Sequence, residues 1–537
     1  MKNKAFLLFA AACVAALCLH VLTMRTCPLP WMDEVHIVEM GRIFLDGDGP
    51  TGSILTQRDG AVVPPIYYIG PCLQELCFRV FGFGGVRLSP MLGLLIAAML
   101  FHTWLRKSRG MSRYDASLLS VMFLALPLFA QSTRQVRVDT WVLACAFAIL
   151  ALVDMPDTSP TGNGHDRNIR MATAGFLTAL SPFIWPSAIF LIPLYLWMYT
   201  TGVRQANITR KIVVKDIVVA TTSALVAGFL FMIPVFPILQ KTLAALCYYF
   251  NTYGGHHLDG GKPIASTMAD ILSGPAVLAV KEFLRAPFAS TLFAISLVTA
   301  LPRHWTLPAL FIVVLLCGIA SGLHTYRFIY ILPYLIAMAA LFIAESKQHT
   351  SIRILLYAAA IYGMTTSFAA YGVAAMFHSK ARDMEAFRGE LERTVGKGPL
   401  KVYTGSYETY YVGRELGWTQ LAYSDPGTYA DDGKRANLIC QADAALEPHP
   451  SPFTAVEETY TLLGVLREIT LNAARKEASQ TDKSLLAKIG TTFSSQVPSE
   501  ESYSDIRAAC VRRGLEKTAE INVSSDYVPL IVYRKSL

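Results

Sequence analysis

Two adjacent carboxylates are the first residues in this sequence that could do chemistry: Trp31-Met32-Asp33-Glu34. They follow an apolar run that starts near Ala5, so they sit at the edge of a membrane segment, where acids are expensive unless solvated or used. A carboxylate in that place could take a proton from a hydroxyl or an amine. The same pair would also suit a helix start, with Asp33 as cap and both acids favourable to the helix dipole. Glu39-Met40-Gly41-Arg42, Arg58 and Pro64-Pro65-Ile66-Tyr67-Tyr68 follow. A second polar run reads Gln131-Ser132-Thr133-Arg134-Gln135-Val136-Arg137-Val138-Asp139, and a third His324-Thr325-Tyr326-Arg327-Phe328. A single arginine at a membrane-helix end commonly snorkels to lipid head groups. Arg134, Arg137 and Arg327, together with acids on one membrane face, make an anion site instead, and the guanidinium fork matches phosphate.

The elements that must position these groups follow from composition. The chain has 537 residues, 53% hydrophobic and 16% charged, where a soluble protein carries about 25% charge. An ordinary soluble enzyme and a disordered chain are both excluded. The apolar excess lies before Phe377, and the last ~160 residues have the mixed charge and the length of one soluble domain. Residues 1–377 therefore read as a membrane body and 378–537 as a soluble domain. The net charge of +8 is spread over short loops rather than gathered in a stripe, so it sets orientation, not nucleic-acid binding.

A spanning helix needs about 20 apolar residues. Candidates are 5–24, 86–106, 114–131, 138–154, 171–185, 186–200, 216–238, 286–301, 305–321, 326–344 and 354–376, eleven in all. Pro182 and Pro186 divide 171–200 into two short helices. Pro64–Phe81 is apolar but holds Gln74, Glu75 and Arg79, which suits an interfacial helix. With the N-terminus inside, the basic loops 106–113 and 201–215 are cytoplasmic. The loops 25–85 and 239–285 and the C-terminal domain then face outward, and so do the acids and arginines singled out above.

The second outer loop carries Tyr248-Tyr249-Phe250-Asn251-Thr252-Tyr253-Gly254-Gly255-His256-His257-Leu258-Asp259. Glycines beside aromatics suit a loop that closes over substrate, with an interfacial aromatic belt as the alternative. Adjacent histidines lack the i, i+4 spacing of a helical metal pair. In the soluble domain Leu400–Thr404, Ala436–Cys440 and Val528–Tyr533 are β-rich. Tyr407–Leu416, Ala455–Ala478 and Asp505–Leu515 have helical character, giving an α/β reading. Cys440 and Cys510 could pair or remain thiols. No motif requires a cofactor, and a divalent metal is left open.

Asp33-Glu34, Pro64-Pro65-Ile66-Tyr67-Tyr68, Phe81-Gly82 with Val86-Arg87, Arg134-x-x-Arg137-x-Asp139 and Arg327-Phe328 with Pro333 occur in an order that resembles the type C glycosyltransferases, near the protein O-mannosyltransferases and the lipid A aminoarabinose transferases. The resemblance covers most of 1–345. It departs at Leu180-Ser181-Pro182-Phe183-Ile184-Trp185-Pro186, which lacks a lysine, and at Val63, where many relatives have a basic residue. It implies a polytopic α-helical fold that takes a sugar from a polyprenyl-phosphate donor and passes it, with inversion, to an extracytoplasmic lipid, glycan or protein acceptor. It makes Asp33 the candidate base, with Glu34 either supporting it or orienting the acceptor, and Arg58, Arg134, Arg137 and Arg327 the donor-phosphate ligands. Asp139, Tyr67, Tyr68, Tyr253, His256 and His324 are substrate-binding candidates. The setting it implies is a bacterial inner membrane with the C-terminal domain outside. A transporter or flippase of a lipid-linked or anionic substrate is the alternative; it would place charges at mid-membrane and show an internal repeat.

Overall fold

The computed structural model describes residues 4–25, 30, 32–46, 67–154, 164–205, 208–240, 285–320, 325–345, 350–373, 383–404, 407–423, 442–448, 510, 515–521 and 530–535. Their helices are α1 (Lys4–Thr23), α2 (Met32–Leu45), α3 (Ile69–Lys107), α4 (Arg113–Leu124), α5 (Pro127–Arg134), α6 (Asp139–Val153), α7 (Gly164–Ile184), α8 (Ile192–Gln205), α9 (Arg210–Met232), α10 (Pro287–His304), α11 (Thr306–Ala320), α12 (Leu332–Glu345), α13 (Thr350–Val373), α14 (Met384–Thr394) and α15 (Thr409–Glu415). Five described segments are long and apolar enough to cross a membrane: Phe6–Thr23, Ile69–Lys107, Pro186–Arg204, Arg210–Met232 and Phe328–Glu345. A sixth forms if α4 and α5, bent by 51°, count as one. The chain is an α-helical polytopic membrane protein.

The described residues gather into two compact units. The first comprises Met1–Cys18, Val63–Leu73 and Ser89–Ser367; the second comprises Leu19–Val62, Gln74–Leu88 and Phe368–Leu537. Within the first, lipid removes the hydrophobic drive between helices, and close packing has to replace it. At Gly175 of α7 an added Cβ would lie 2.1 Å from the Ala220 carbonyl of α9, so the two helices touch backbone to backbone. Arg167 pairs with Asp216 at 2.6 Å, Ser223 Oγ donates to the Ala172 carbonyl at 2.7 Å, and the Phe183 and Phe231 rings lie 5.3 Å apart. Arg167 meets Asp216 near the two starts and Phe183 meets Phe231 near the two ends, so α7 and α9 run parallel. Elsewhere in the unit Phe101, Phe123, Phe129 and Phe147 interlock at 4.7–5.2 Å between centroids. The buried Asp154 accepts from Trp104 Nε1 at 2.7 Å and from Arg109 Nη2 at 2.6 Å.

The 171–200 segment breaks as its prolines require, into α7, a 3-10 turn over Pro186–Leu191, and α8. The sequence-predicted interfacial helix differs more. From Ile69 it continues into the next helix, and the joint is a kink at Gly82, whose φ of 63° only glycine adopts readily.

The second unit contains a five-stranded sheet in the order β2-β1-β3-β5-β4, built from β1 (Lys401–Thr404), β2 (Thr419–Tyr423), β3 (Ala444–Pro448), β4 (Leu515–Ile521) and β5 (Leu530–Lys535). β1 is parallel to β2 and β3, while β5 is antiparallel to β3 and β4. Side chains alternate between the faces. Val402, Leu446, Leu530 and Val532 join Phe387 and Leu391 of α14 in one core. Tyr403, Ala445, Ile531 and Tyr533 join Cys510 in the other. The sequence reading missed β2, β3 and β4. Leu515 starts a strand rather than ending a helix, and the expected strand Ala436–Cys440 and helix Ala455–Ala478 lie outside the described residues.

Candidate functional site

Helix α2 presents the acidic pair in its first turn. The two carboxylates have different surroundings. Asp33 is half-buried, whereas Glu34 is fully buried. Arg87 grips Glu34 with both ends of its fork, Nη2 to Oε2 at 2.8 Å and Nε to Oε1 at 3.1 Å. The same guanidinium donates to the Met24 carbonyl at 2.8 Å and lies 4.5 Å above the Phe83 ring. A bidentate partner and a further acceptor offset the desolvation of both charges.

The other end of α2 is held just as closely. Glu39 accepts from Arg42 at 2.6 and 2.9 Å and from the Tyr410 hydroxyl at 2.6 Å. Glu75, fully buried, accepts from Arg79 Nε at 2.7 Å and from Arg414 at 2.6 and 2.8 Å. Arg414 also lies 4.3 Å over Phe78. Asp46 takes Arg42 at 3.3 Å and also Arg79. Burial, reinforced by the charge of Glu39, pushes the Tyr410 phenol well above its usual range, and burial beside Glu34 does the same for Tyr411. Both phenols therefore stay neutral at any physiological pH. Tyr403, Tyr410 and Tyr411 are all buried.

In the first unit the polar run beginning at Gln131 is almost wholly enclosed. Arg134 is 1% exposed, Arg137 6% and Asp139 0%. So much buried polarity in one short stretch is rare without a use. Arg137 Nε donates to Asp139 Oδ2 at 2.6 Å, and the Tyr330 hydroxyl donates to Asp139 Oδ1. The Arg137 guanidinium lies 5.5 Å over Trp185, which meets Tyr67 edge-on at 5.0 Å. Tyr68 donates to the Phe231 carbonyl at 3.2 Å. Between the two arginines Val136 has φ 56°, a conformation that costs a β-branched residue about 1–3 kcal/mol and persists only where packing imposes it.

The structure thus places Asp33 and Glu34 in one unit, and Tyr67, Tyr68, Arg134, Arg137 and Asp139 in the other. Arg327 lies in a 3-10 turn, Thr325–Tyr330, of the first unit. Arg58, Tyr253, His256 and His324 lie outside the described residues. Sequence reading did not single out Arg414 or Tyr330 as site residues, because each partner is remote along the chain. Arg87 stood in a motif but not in the site. Among the described residues no group of three His, Cys, Asp or Glu side chains could hold a metal ion.

No protein-family model matches the chain, and no curated protein matches it in sequence. Solved structures do resemble it. The arabinofuranosyltransferase AftD from Mycobacteria aligns with a TM-score of 0.52 at 12% identity, over 100% of this chain and 40% of that one. ArnT from Cupriavidus metallidurans bound to undecaprenyl phosphate aligns over 99% of this chain and 98% of that one, with 15% identity and a TM-score of 0.49. An oligosaccharyltransferase from Archaeoglobus fulgidus, in complex with zinc and sulfate, gives 0.47 at 12% identity, over 81% of this chain and 68% of that one. The chain shares the fold of the part of AftD that it covers.

Proposed function

We propose that this chain is a membrane glycosyltransferase that moves a sugar from a polyprenyl-phosphate-linked donor to an acceptor outside the cytoplasm. The reading includes eleven spans, a C-terminal α/β domain on the outer side and residence in a bacterial inner membrane. The fold shared with an arabinofuranosyltransferase supports it. The observation that carries it is the contrast within the acidic pair: Arg87 immobilises Glu34, while Asp33 stays half-buried in the same helical turn. That arrangement suits one structural acid and one working base.

In this reading the acceptor hydroxyl or amine attacks the anomeric carbon from the face opposite the phosphate. Asp33 takes the acceptor's proton, and the bond from anomeric carbon to phosphate oxygen breaks. Polyprenyl phosphate leaves with the electron pair, and the configuration inverts. Arg134, Arg137, Arg327 and Arg58 are the proposed partners of the leaving phosphate. Glu34 supports Asp33 through the helix they share and does not meet substrate itself. In proteoliposomes given labelled polyprenyl-phosphate-sugar, Asp33→Asn should lower transfer by at least ~100-fold, the scale of a lost general base. Transfer at the wild-type rate by Asp33→Asn would remove the assigned base.

A further inference from the structure

The second unit contains a cavity of about 180 Å³ that none of the assignments above uses. Its lining includes Arg25, Phe81, Glu385, Arg388, Tyr411 and Glu415. It forms beside the kink of α3 at Gly82, where a Cβ on the glycine would lie 3.4 Å from the Glu415 carboxylate. We propose that this cavity is a saccharide subsite that binds one neutral sugar unit of the acceptor.

Three observations carry the assignment. The first is the state of the lining charges. The fully buried carboxylates of this unit are hydrogen-bonded by their arginines at 2.6–3.1 Å, as Glu34 is by Arg87 and Glu75 by Arg414. Around the cavity the pairs are loose: Arg25 to Glu385 at 3.5 Å, Arg388 to Glu385 at 3.8 Å and Arg388 to Glu415 at 3.7 Å. Those separations lie beyond the usual N–H···O range, so two guanidinium groups and two carboxylates keep hydrogen-bonding capacity for a ligand. The second is charge balance. Two cations and two anions cancel, which disfavours phosphate or a free cation and favours a ligand with donors and acceptors together, such as a polyol. The third is shape and surface. Phe81 is 71% exposed, and an aromatic face suits the C–H side of a sugar ring. At about 180 Å³ the space is smaller than the ~300–1,000 Å³ of pockets that take drug-sized ligands, the scale of a single ring rather than a chain.

The word acceptor rests on the transferase reading; sugar binding does not. The test uses the full-length chain in nanodiscs. Saturation-transfer NMR would measure methyl glycosides of mannose, glucose, arabinose and glucosamine, with inorganic phosphate as comparison. At least one glycoside should bind at millimolar concentration. Arg388→Gln, Glu415→Gln and Phe81→Ala should each weaken it at least fivefold, while Lys397→Gln, exposed and outside the cavity lining, stays within twofold. These lining side chains are exposed enough for the variants to fold, and circular dichroism would check that they do. No binding by any glycoside, binding of phosphate in their place, or binding indifferent to the three substitutions would overturn the subsite. Sugar binding in a protein that transfers nothing would overturn the transferase reading and leave the subsite standing.

Discussion

At the scale of single residues, the Arg87–Glu34 pair shows how burial sharpens a prediction. Both side chains are fully excluded from solvent, so removing either partner strands the other charge. Such a loss costs about 3–5 kcal/mol, whereas replacing both by apolar side chains is often neutral. Arg87→Met and Glu34→Leu should therefore each lower the thermal midpoint in detergent sharply. The double variant should recover most of that loss. Should the double variant prove no more stable than the singles, the other partners of Arg87, the Met24 carbonyl and the Phe83 ring, carry the stability instead of the ion pair. The same substitutions separate folding from catalysis. A double variant that regains stability without regaining transfer assigns Glu34 a part in holding Asp33 beyond holding the fold. The strained Val136 belongs to this scale as well, since its left-handed backbone lies between two buried arginines.

Among elements, α15 is the one with an unexpected task. It is only seven residues long, yet its Tyr410 reaches Glu39 of α2 and its Arg414 reaches Glu75 of α3. Arg414→Gln keeps bulk and polarity but removes the charge and the fork that Glu75 needs. It should loosen the stretch of α3 around Glu75, seen as at least tenfold faster amide hydrogen exchange over residues 74–81, with β1 and β5 unchanged. Uniform acceleration across the sheet would mean general destabilisation and would sink the specific link. How much of this was legible follows from range along the chain. Helix breaks with a local cause were readable, as with Pro186 after α7, whereas the single helix that runs through the Gly82 kink was read as two. The strands β1 and β5 were readable from their β-branched and aromatic runs. β2, with Thr419-Gln420-Leu421-Ala422-Tyr423, and β4, with three charged or hydroxylated residues after Leu515, carry no such signal and depend on their neighbours in the sheet. The partners of Arg414 and Tyr410 are 339 and 371 residues away, a separation that no spacing rule in one sequence can bridge.

For the molecule as a whole, ion pairs at helix ends carry information about sidedness. In the first unit Arg109 follows α3 and pairs with Asp154 at the end of α6. Arg167 near the start of α7 pairs with Asp216 near the start of α9, and Arg303 near the end of α10 pairs with Glu345 at the end of α12. Arg353 near the start of α13 faces Asp115 near the start of α4 at 3.6 Å. Each pair brings together two like ends, so each marks two helices running the same way. Parallel neighbours require the chain between them to return across the membrane. Between α3 and α6 the bent pair α4–α5 makes that return; between α7 and α9 the return is α8 with its leading turn. In the eleven-span order all four pairs fall on the cytoplasmic side, the side the basic loops prefer. The arrangement predicts that a cysteine placed at Arg204, an exposed position at the end of α8, reacts with a membrane-impermeant maleimide only after the cells are opened. A cysteine at Lys397, exposed in the C-terminal segment, should react in intact cells once the outer envelope is permeable. The reverse pattern would turn the molecule over, put Asp33 and the saccharide cavity in the cytoplasm, and deny them an acceptor outside it.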